Sequence, residues 1–216
     1  VACGSGNAAL SAARRNCEAV GIDFVPALVD RARERAAVER LPARFEVGDC
    51  EDIPLADASF DAVLSVYGSM FSPCPERAAQ ELLRVCRPGG RIGMANWTPD
   101  GFWGEAFGLQ AKYLPPPPGL RPPPEWGTEQ RLRELFGDAV SSMRITRRSA
   151  LFRYRSSRHW IEVFSTYFGP VMRTLEALDE TRRRAYLDDL DATLNRFNGS
   201  GDDSFTYKAS DRDLES

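Results

Sequence analysis

Short apolar runs alternate with amphipathic stretches through the first half of the chain. The apolar runs lie at residues 18–23, 43–47, 60–66 and 91–97, and they have the length of buried strands. Apolar residues at helical spacing lie at residues 8–15, 26–40 and 75–87, and a turn is expected at 87–90. Strands and helices in strict alternation predict an α/β protein with a mostly parallel sheet and helices on both faces.

The pattern changes beyond residue 113. Residues 115–124 are mostly proline and predict a polyproline-like segment, which is either a stiff connector or a docking site for a proline-reading domain. Thr128 is expected to cap a helix that runs through Phe136. Residues 140–155 and 204–208 have strand patterns and would extend the sheet with antiparallel strands.

Helical spacing also assigns residues to the sides of single helices. In the second helix the apolar side consists of Ala27, Val29, Ala32 and Ala36, and the charged residues expected to form a solvated face are Arg31, Arg33, Glu34 and Arg35. Two later helices carry apolar stripes, consisting of Trp160, Val163, Phe164, Tyr167 and Val171 in one and of Leu187, Leu190, Leu194 and Phe197 in the other. Such stripes are typical of core packing.

The first strand-to-helix junction is a glycine turn, Val1-Ala2-Cys3-Gly4-Ser5-Gly6-Asn7. Gly4 and Gly6 let a ligand approach the backbone, and the turn presents free amide groups at the start of a helix. This arrangement predicts a site for the polar part of a nucleotide-like cofactor, although Gly4-x-Gly6-x-x-Ala9 also fits the dinucleotide fingerprint. Only Val1 and Ala2 remain of the strand that such a turn normally follows, so we expect the sequence to be a fragment.

Polar residues follow the other predicted strands. Asp23, Asp49 and the segment Ser65-Val66-Tyr67 each come where a strand ends. Because ligands bind at the carboxyl ends of parallel strands, we expect these residues and the glycine turn to meet at one edge of the sheet.

Composition narrows the classes of partner. The formal net charge of −3 offers no general attraction for nucleic acid or anionic lipid. No apolar run is long enough to span a membrane, and no signal peptide is visible. The five cysteines are widely spaced and form no Cys-x-x-Cys pair, which suggests reduced thiols in a cytoplasm and no zinc site.

One predicted strand is rich in arginine: Arg144, Arg147, Arg148, Arg153 and Arg155. These residues form either an anion-binding patch or the outward face of an antiparallel edge strand, and the negative net charge favours the edge strand.

Five motifs resemble those of one enzyme family. They are the glycine turn, Gly21-Ile22-Asp23, Gly48-Asp49-Cys50, Phe60-Asp61-Ala62-Val63 with Ser65 after it, and Glu81-Leu82-Leu83-Arg84-Val85-Cys86-Arg87-Pro88-Gly89-Gly90-Arg91. In this order and spacing the chain resembles the class I S-adenosylmethionine-dependent methyltransferases, in the small-molecule branch that includes enzymes of ubiquinone and menaquinone biosynthesis.

The resemblance implies a Rossmann-like fold and three segments. Residues 1–112 would be the S-adenosylmethionine-binding core, 113–127 a proline-rich connector, and 128–216 a part that completes the sheet and carries an inserted helical cap. The family's first strand lies centrally in the sheet, and here it is largely missing.

The resemblance also implies which residues bind the cofactor. Ala2, Cys3, Gly4, Ser5 and Gly6 would contact its methionine part and ribose. Asp23 would accept the ribose hydroxyls, unless it only caps a helix, and Phe24 and Val25 would border the adenine. Asp49 would accept from the adenine amino group, unless it only forms a turn, with the Cys50 amide near a ring nitrogen. Ser65, Val66 and Tyr67 would line the methyl-donor end.

The implied reaction is in-line displacement of the methyl group by a small-molecule acceptor, with no metal. Clustered aromatic residues suggest that the acceptor is apolar or aromatic. Tyr67 and His159 are weak candidates for a general base, and the Trp160 stripe either packs as core or covers the acceptor. The alternatives are an NAD(P)-dependent oxidoreductase and a non-catalytic relative that binds a partner. The sequence leaves the oligomeric state open.

Overall fold

The computed structural model describes residues 1–202 and 204–215. Its helices are α1 Asn7–Ala13, α2 Pro26–Glu39, α3 Pro75–Val85, α4 Phe102–Tyr113, α5 Glu129–Phe136, α6 Ser157–Tyr167, α7 Gly169–Ala177 and α8 Glu180–Phe197. Its strands are β1 Ala19–Asp23, β2 Ala43–Val47, β3 Phe60–Val66, β4 Cys86–Trp97, β5 Arg144–Tyr154 and β6 Phe205–Glu215.

The chain forms two compact units. The first comprises Val1–Asn96 and Thr128–Thr146 with the end of β6, and it contains the strand ends that the sequence marks as a site. The second comprises Trp97–Gly127 and the chain from Arg147 into β6. The proline-rich segment passes through the second unit, where a 3₁₀ turn at Pro123–Gly127 buries Pro124 and Trp126.

Two strand pairs of the first unit, β1–β2 and β3–β4, are parallel, as predicted. β1 pairs with β2 from Ala19 opposite Ala43 to Asp23 opposite Val47. β3 pairs with β4, with Val63 opposite Ile92 and Ser65 opposite Met94. The predicted α/β architecture and the strand at Phe60–Val66 are therefore confirmed.

The single predicted sheet is divided between β1–β2 and β3–β4, which belong to different sheets. The segment Val1–Cys3 lies between them. The Val1 nitrogen donates to the Leu64 carbonyl at 2.7 Å, and the Cys3 amide donates to the Ile22 carbonyl at 2.8 Å. One hydrogen bond thus connects this segment to β3, and one connects it to β1. A continuous sheet needs a ladder of such bonds along neighbouring strands.

The prediction of a helix to Arg87 and a turn at 87–90 is wrong in its boundaries. Helix α3 ends at Val85, and β4 already begins at Cys86. Arg87 precedes Pro88, whose ring disfavours helical backbone at the residue before it. The pairing register shifts between Phe60 and Ala62, and this shift accommodates the extra residues of β4.

Three helices, and not the two predicted, lie between β5 and β6. Phe168 is extended, so α6 stops at Tyr167 and α7 starts at Gly169 with Pro170 in its first turn. A continuing helix would place the Pro170 ring against the carbonyl of residue 166. Val171 therefore lies on α7 and does not share a helix with Trp160.

Helix α4 is absent from the prediction. Trp103 and Phe107 belong to the clustered aromatic residues that suggested an apolar or aromatic acceptor, yet they are one helical turn apart and their rings lie 5.8 Å apart. α4 packs against α8 in the second unit. Its aromatic residues are therefore part of a helical core.

Trp160 lies at the centre of that aromatic core. Its ring is fully buried and stacks on Phe164 at a centroid distance of 3.8 Å, and its indole nitrogen donates to the Tyr207 hydroxyl at 3.3 Å. Tyr167, at the end of the same helix, is 81% exposed. The predicted stripe thus combines a core residue with a surface residue.

The arginine-rich strand β5 lies at the edge of its sheet. Its side chains are mostly exposed, and Arg147 pairs with Asp100 at 2.6 Å within the second unit. These observations favour the edge-strand interpretation.

We predict opposite outcomes for two substitutions in α6. Trp160→Ala should lower the free energy of unfolding by about 3–5 kcal/mol, since it removes a buried aromatic ring and leaves a cavity. Tyr167→Ala should change it by less than about 0.5 kcal/mol because the side chain is exposed. Urea titration measures both. Equal losses would mean that Tyr167 packs as tightly as Trp160.

Candidate functional site

The glycine turn is tightly packed at Gly6 and open at Gly4. Both glycines have positive φ, +87° at Gly6 and +54° at Gly4. A Cβ at Gly6 would lie 2.9 Å from the Phe45 ring and 3.0 Å from the Ala32 Cβ, whereas a Cβ at Gly4 would meet nothing within 4 Å. Gly6 therefore allows the turn to pack on β2 and α2, and Gly4 leaves its backbone accessible to a ligand.

Asp23 fastens this turn to the end of β1. Its side chain is only 5% exposed. Oδ2 accepts from the Gly4 amide at 2.8 Å, and Oδ1 accepts from the Val25 amide at 3.0 Å. Since a carboxylate oxygen can accept two hydrogen bonds, each oxygen retains capacity for a further donor. Asp23 thus bonds to the amide that precedes α2 and also holds the glycine turn.

Arg35 holds the turn from the other side. Its Nη1 donates to the Ser5 carbonyl at 2.7 Å and to the Asn7 side chain at 2.7 Å. Arg33 likewise donates to the Phe45 carbonyl at 2.7 Å. The predicted solvated face of α2 holds for Arg33, which is exposed, but not for Arg35, which is partly buried against the glycine turn.

The sequence does contain a signal that Arg35 can contact neighbouring elements. It lies next to Ala36 and three residues after Ala32, and both alanines are buried. A long cationic side chain beside an inward-facing stripe can reach across the packing surface while its stem stays apolar.

The end of β2 is hydrogen-bonded to the end of β1. The Gly48 amide donates to the Asp23 carbonyl at 3.1 Å. Asp49 follows in an exposed turn, where its Oδ1 accepts from the Glu51 amide at 2.9 Å. Phe24 is 64% exposed, so its ring offers an apolar face at the same edge.

Two cysteines at this edge are held neutral. Burial raises the pKa of the Cys3 thiol to about 11. Burial, together with the charges of Asp49 and Glu51, raises the pKa of the Cys50 thiol to about 12. Neither thiol is a nucleophile near neutral pH, because the thiolate is the reactive form.

The end of β3 contributes a loop that contacts the glycine turn. Ser65 is fully buried, and its hydroxyl accepts from the Ser69 amide and donates to the Ser69 hydroxyl, both at 2.9 Å. A Cβ at Gly68 would lie 2.7 Å from the Ala2 Cβ, so the loop and the turn touch. Ser65 holds this loop in place, while Val66 is partly exposed.

Tyr67 has an uncommon backbone conformation at this position. Its φ is +52°, and its amide donates to the Ala95 carbonyl of β4 at 2.9 Å. A left-handed conformation at a bulky residue is strained and is often found at functional sites.

The structure thus brings together the glycine turn, Asp23, the Asp49 turn and the Ser65–Gly68 loop. His159 belongs to the second unit, on α6. Its Nδ1 accepts from the Arg155 amide at 3.4 Å, and its ring lies 5.9 Å from that of Tyr154. Its role as a general base stays a prediction.

Within residues 1–202 and 204–215, no three His, Cys, Asp or Glu side chains lie close enough together to hold a metal ion. No helix in the same residues combines the length and apolarity that a membrane crossing requires.

Comparison with known proteins identifies the family. A family model described as a methyltransferase domain matches residues 1–94. An uncharacterized protein of Mycobacterium tuberculosis is 37% identical over 184 residues, which cover 84% of this chain and 67% of the relative. The demethylmenaquinone methyltransferase of Deinococcus radiodurans is 38% identical over 120 residues, which cover 54% of this chain and 50% of that enzyme.

A solved structure agrees in fold. The YcgJ protein from Bacillus subtilis has a TM-score of 0.66 at 18% identity, over 99% of this chain and 88% of that one. The chain therefore belongs to the class I S-adenosylmethionine-dependent methyltransferases, as its motifs indicated. It spans about two thirds of the length of the mycobacterial relative and half that of the Deinococcus enzyme.

We predict that the two turn glycines differ in their tolerance of a side chain. Gly6→Ala should lower stability by more than about 2 kcal/mol, since the new methyl group meets Phe45 and Ala32 in a strained conformation. Gly4→Ala meets no such contact and should cost only about 1 kcal/mol of backbone strain. Thermal unfolding of both variants tests this difference, and a larger loss for Gly4→Ala would contradict it.

We also predict that Cys50 is protected from alkylation. At pH 8 iodoacetamide should modify it at least about a hundredfold more slowly than exposed Cys17, because so little of it is thiolate. Peptide mass mapping measures both rates, and full denaturation in urea should make them similar. Equal rates in the folded protein would contradict the buried environment.

The same raised pKa has a consequence for stability. The thiol in the unfolded chain loses its proton near pH 9, before the folded one does, so stability should fall as the pH rises from 9 toward 12. Cys50→Ala should reduce this dependence, which urea titrations at pH 8 and pH 10 would measure.

Proposed function

We propose that this protein binds S-adenosylmethionine at the edge formed by the glycine turn, Asp23, the Asp49 turn and the Ser65–Gly68 loop. We further propose that it transfers the methyl group to a small apolar or aromatic acceptor. The observation that carries the proposal is the buried Asp23 carboxylate, which holds the Gly4 amide while each oxygen retains acceptor capacity.

The residues present suit this cofactor. The open space at Gly4 admits a ligand close to the backbone, and Ala2 to Gly6 would contact its methionine part and ribose. Asp23 would accept from the ribose hydroxyls through its remaining lone pairs. Phe24 and Val25 would border the adenine, and the exposed Phe24 ring offers it a stacking surface.

The remaining contacts would come from the next two strand ends. The Asp49 carboxylate would accept from the adenine amino group, with the Cys50 amide near a ring nitrogen. Val66 and Tyr67 would line the methyl-donor end. Ser65 would act indirectly, since its buried hydroxyl holds Ser69 and so positions the loop.

When bound, the cofactor supplies an electrophilic methyl group on a positively charged sulfur. The protein's own contribution is to orient the acceptor, to exclude water and to place negative charge at this edge. Asp23 and Asp49 provide that charge. Cys3 and Cys50 remain neutral, because burial raises the pKa of both thiols, so neither competes for the methyl group as a thiolate.

One observation supports an apolar acceptor. A relative 38% identical to this chain over 120 residues is named for demethylmenaquinone, a quinone. Family membership favours methyl transfer over the hydride transfer of a nicotinamide-dependent enzyme, which a glycine turn alone would also fit.

We predict that Asp23→Asn weakens binding of S-adenosylmethionine at least tenfold. The substitution removes charge-assisted hydrogen bonds of about 1.5–3 kcal/mol each and leaves one oxygen where two were needed. Isothermal titration measures the dissociation constant. The matched control is Asp30→Asn, which removes an exposed carboxylate that pairs with Arg33 on α2.

Titration of the unaltered protein with NAD separates the two cofactor classes. We expect S-adenosylmethionine to bind and NAD not to bind. Tight binding of NAD alone would overturn the proposed function. An unchanged affinity in Asp23→Asn would show that this residue only fastens the turn.

A further inference from the structure

Glu51 joins two loops of the candidate site. It follows Asp49 in the loop after β2, and its Oε1 accepts from the Ser72 hydroxyl at 2.6 Å and from the Cys74 amide at 2.8 Å. Ser72 and Cys74 lie in the segment that leads from the Ser65–Gly68 loop into α3. One carboxylate oxygen of the loop after β2 therefore holds two donors of the loop after β3.

The backbone of Glu51 is held as well. Its amide donates to Oδ1 of Asp49 at 2.9 Å, and its carbonyl accepts from Nε of Arg77 on α3 at 2.8 Å. The first of these bonds fixes the direction of the Asp49 carboxylate, which is the group proposed to meet the adenine. A displacement of Glu51 would therefore also displace that carboxylate.

The contact with Ser72 leads on to the end of β3. Ser72 is 7% exposed, and its amide donates to the Ser69 carbonyl at 3.0 Å. Ser69 in turn is bound to the buried hydroxyl of Ser65. Consecutive hydrogen bonds thus connect the Ser65 hydroxyl to the Asp49 carboxylate by way of Glu51.

The charge of Glu51 suits this position. Partial burial opposes the charged form, but the hydrogen bonds from Ser72 and Cys74 outweigh it and hold the pKa of Glu51 below its usual range. An ionised acceptor makes stronger hydrogen bonds than a neutral one. Loss of the carboxylate would deprive the buried Ser72 hydroxyl of this acceptor, which makes the contact hard to replace.

We propose that Glu51 is a positioning residue for cofactor recognition, because it fixes the Asp49 turn relative to the methyl-donor end of the site. It acts through Asp49, the residue proposed to contact the adenine. The inference rests on the proposed function and adds a residue that couples the two ends of that site. The competing interpretation is that Glu51 only satisfies the Cys74 amide at the start of α3, which would stabilise the helix without affecting ligands.

Three variants separate these interpretations. Glu51→Ala removes the contact, whereas Glu51→Gln keeps an oxygen that can accept from the same donors but removes the charge. Glu39→Ala is the matched control, since Glu39 accepts two hydrogen bonds of 2.6 Å from Arg14 and joins α2 to the end of α1. It removes a contact of the same kind from another place in the first unit.

The first arm needs no ligand and measures alkylation of the partly buried Cys50 by iodoacetamide. Glu51→Ala should raise the rate at least about fivefold above that of Glu51→Gln, because the turn opens more often without its anchor. The glutamine variant accounts for the charge of Glu51, which itself raises the pKa of the Cys50 thiol after burial and Asp49. Equal rates in the alanine and glutamine variants would overturn the inference.

Two controls show that the opening is local. Glu39→Ala should leave the alkylation rate of Cys50 unchanged. Cys3, which is partly buried in the glycine turn, should keep its own rate in Glu51→Ala, since unfolding of the whole unit would expose both thiols. A parallel increase at Cys3 would mean that Glu51 only stabilises the fold, which contradicts the inference.

The second arm compares S-adenosylhomocysteine with S-inosylhomocysteine, which has an oxygen in place of the adenine amino group. By isothermal titration, the unaltered protein should bind the adenosyl compound at least about tenfold more tightly, because Asp49 accepts from that amino group. Glu51→Ala should reduce the preference to below about threefold, and Glu51→Gln should restore most of it. A loss of fold stability alone would weaken both ligands equally, so an unchanged preference in Glu51→Ala overturns the inference.

Asp49→Ala shows whether the effect passes through Asp49. This variant should lose the preference by itself, and Glu51→Ala should then have no further effect on it. A preference that remains in Asp49→Ala and disappears in the double variant would overturn the inference, because Glu51 would then act independently. Failure of the proposed function is distinct: the unaltered protein would bind neither compound, while the alkylation arm would still show whether Glu51 holds the turn.

Discussion

The candidate site depends on one hydrogen bond, from the Gly4 amide to the buried carboxylate of Asp23. It joins a turn of positive-φ residues to the end of β1, and Arg35 holds the same turn from α2 through Ser5 and Asn7. A glycine turn without such anchors would lose much conformational entropy on binding a ligand. Here two charged side chains from different elements have already restricted it, so the edge is shaped before a ligand arrives.

A second arginine organises the loop that follows β2. Arg84 donates to the carbonyls of Ile53 and Leu55 and pairs with Glu81 at 2.7 Å. The Arg84 guanidinium holds the pKa of Glu81 below its usual range, and Glu81 in turn accepts from the Ile53 amide at 2.6 Å. The long family motif around Arg84 thus fixes the loop beyond Asp49 and Glu51. This explains how residues away from the proposed cofactor edge belong to the family signature.

Local chemistry made most of the first unit predictable. A few neighbouring residues suffice to recognise an apolar strand, a glycine turn or a carboxylate at a strand end. The strands at 60–66 and 43–47 appear as expected. The stop of α6 at Tyr167 follows from a local signal, the proline at position 170. Other failures depend on the tertiary fold: Tyr167 is exposed at the end of α6, and Arg35 contacts a turn 30 residues away. Helix α4 was missed because its aromatic residues suggest a pocket as readily as a packed face.

Positions that break a local rule show which contacts the first unit requires. Gly6 has a positive φ, and the close approach of the Phe45 ring leaves no room for a side chain there. Ser65 places a hydroxyl on an apolar face, and Ser69 satisfies its hydrogen bonds. Both residues belong to the motifs that carry the family resemblance, so these departures from local rules serve to build the strand ends at which the cofactor is proposed to bind.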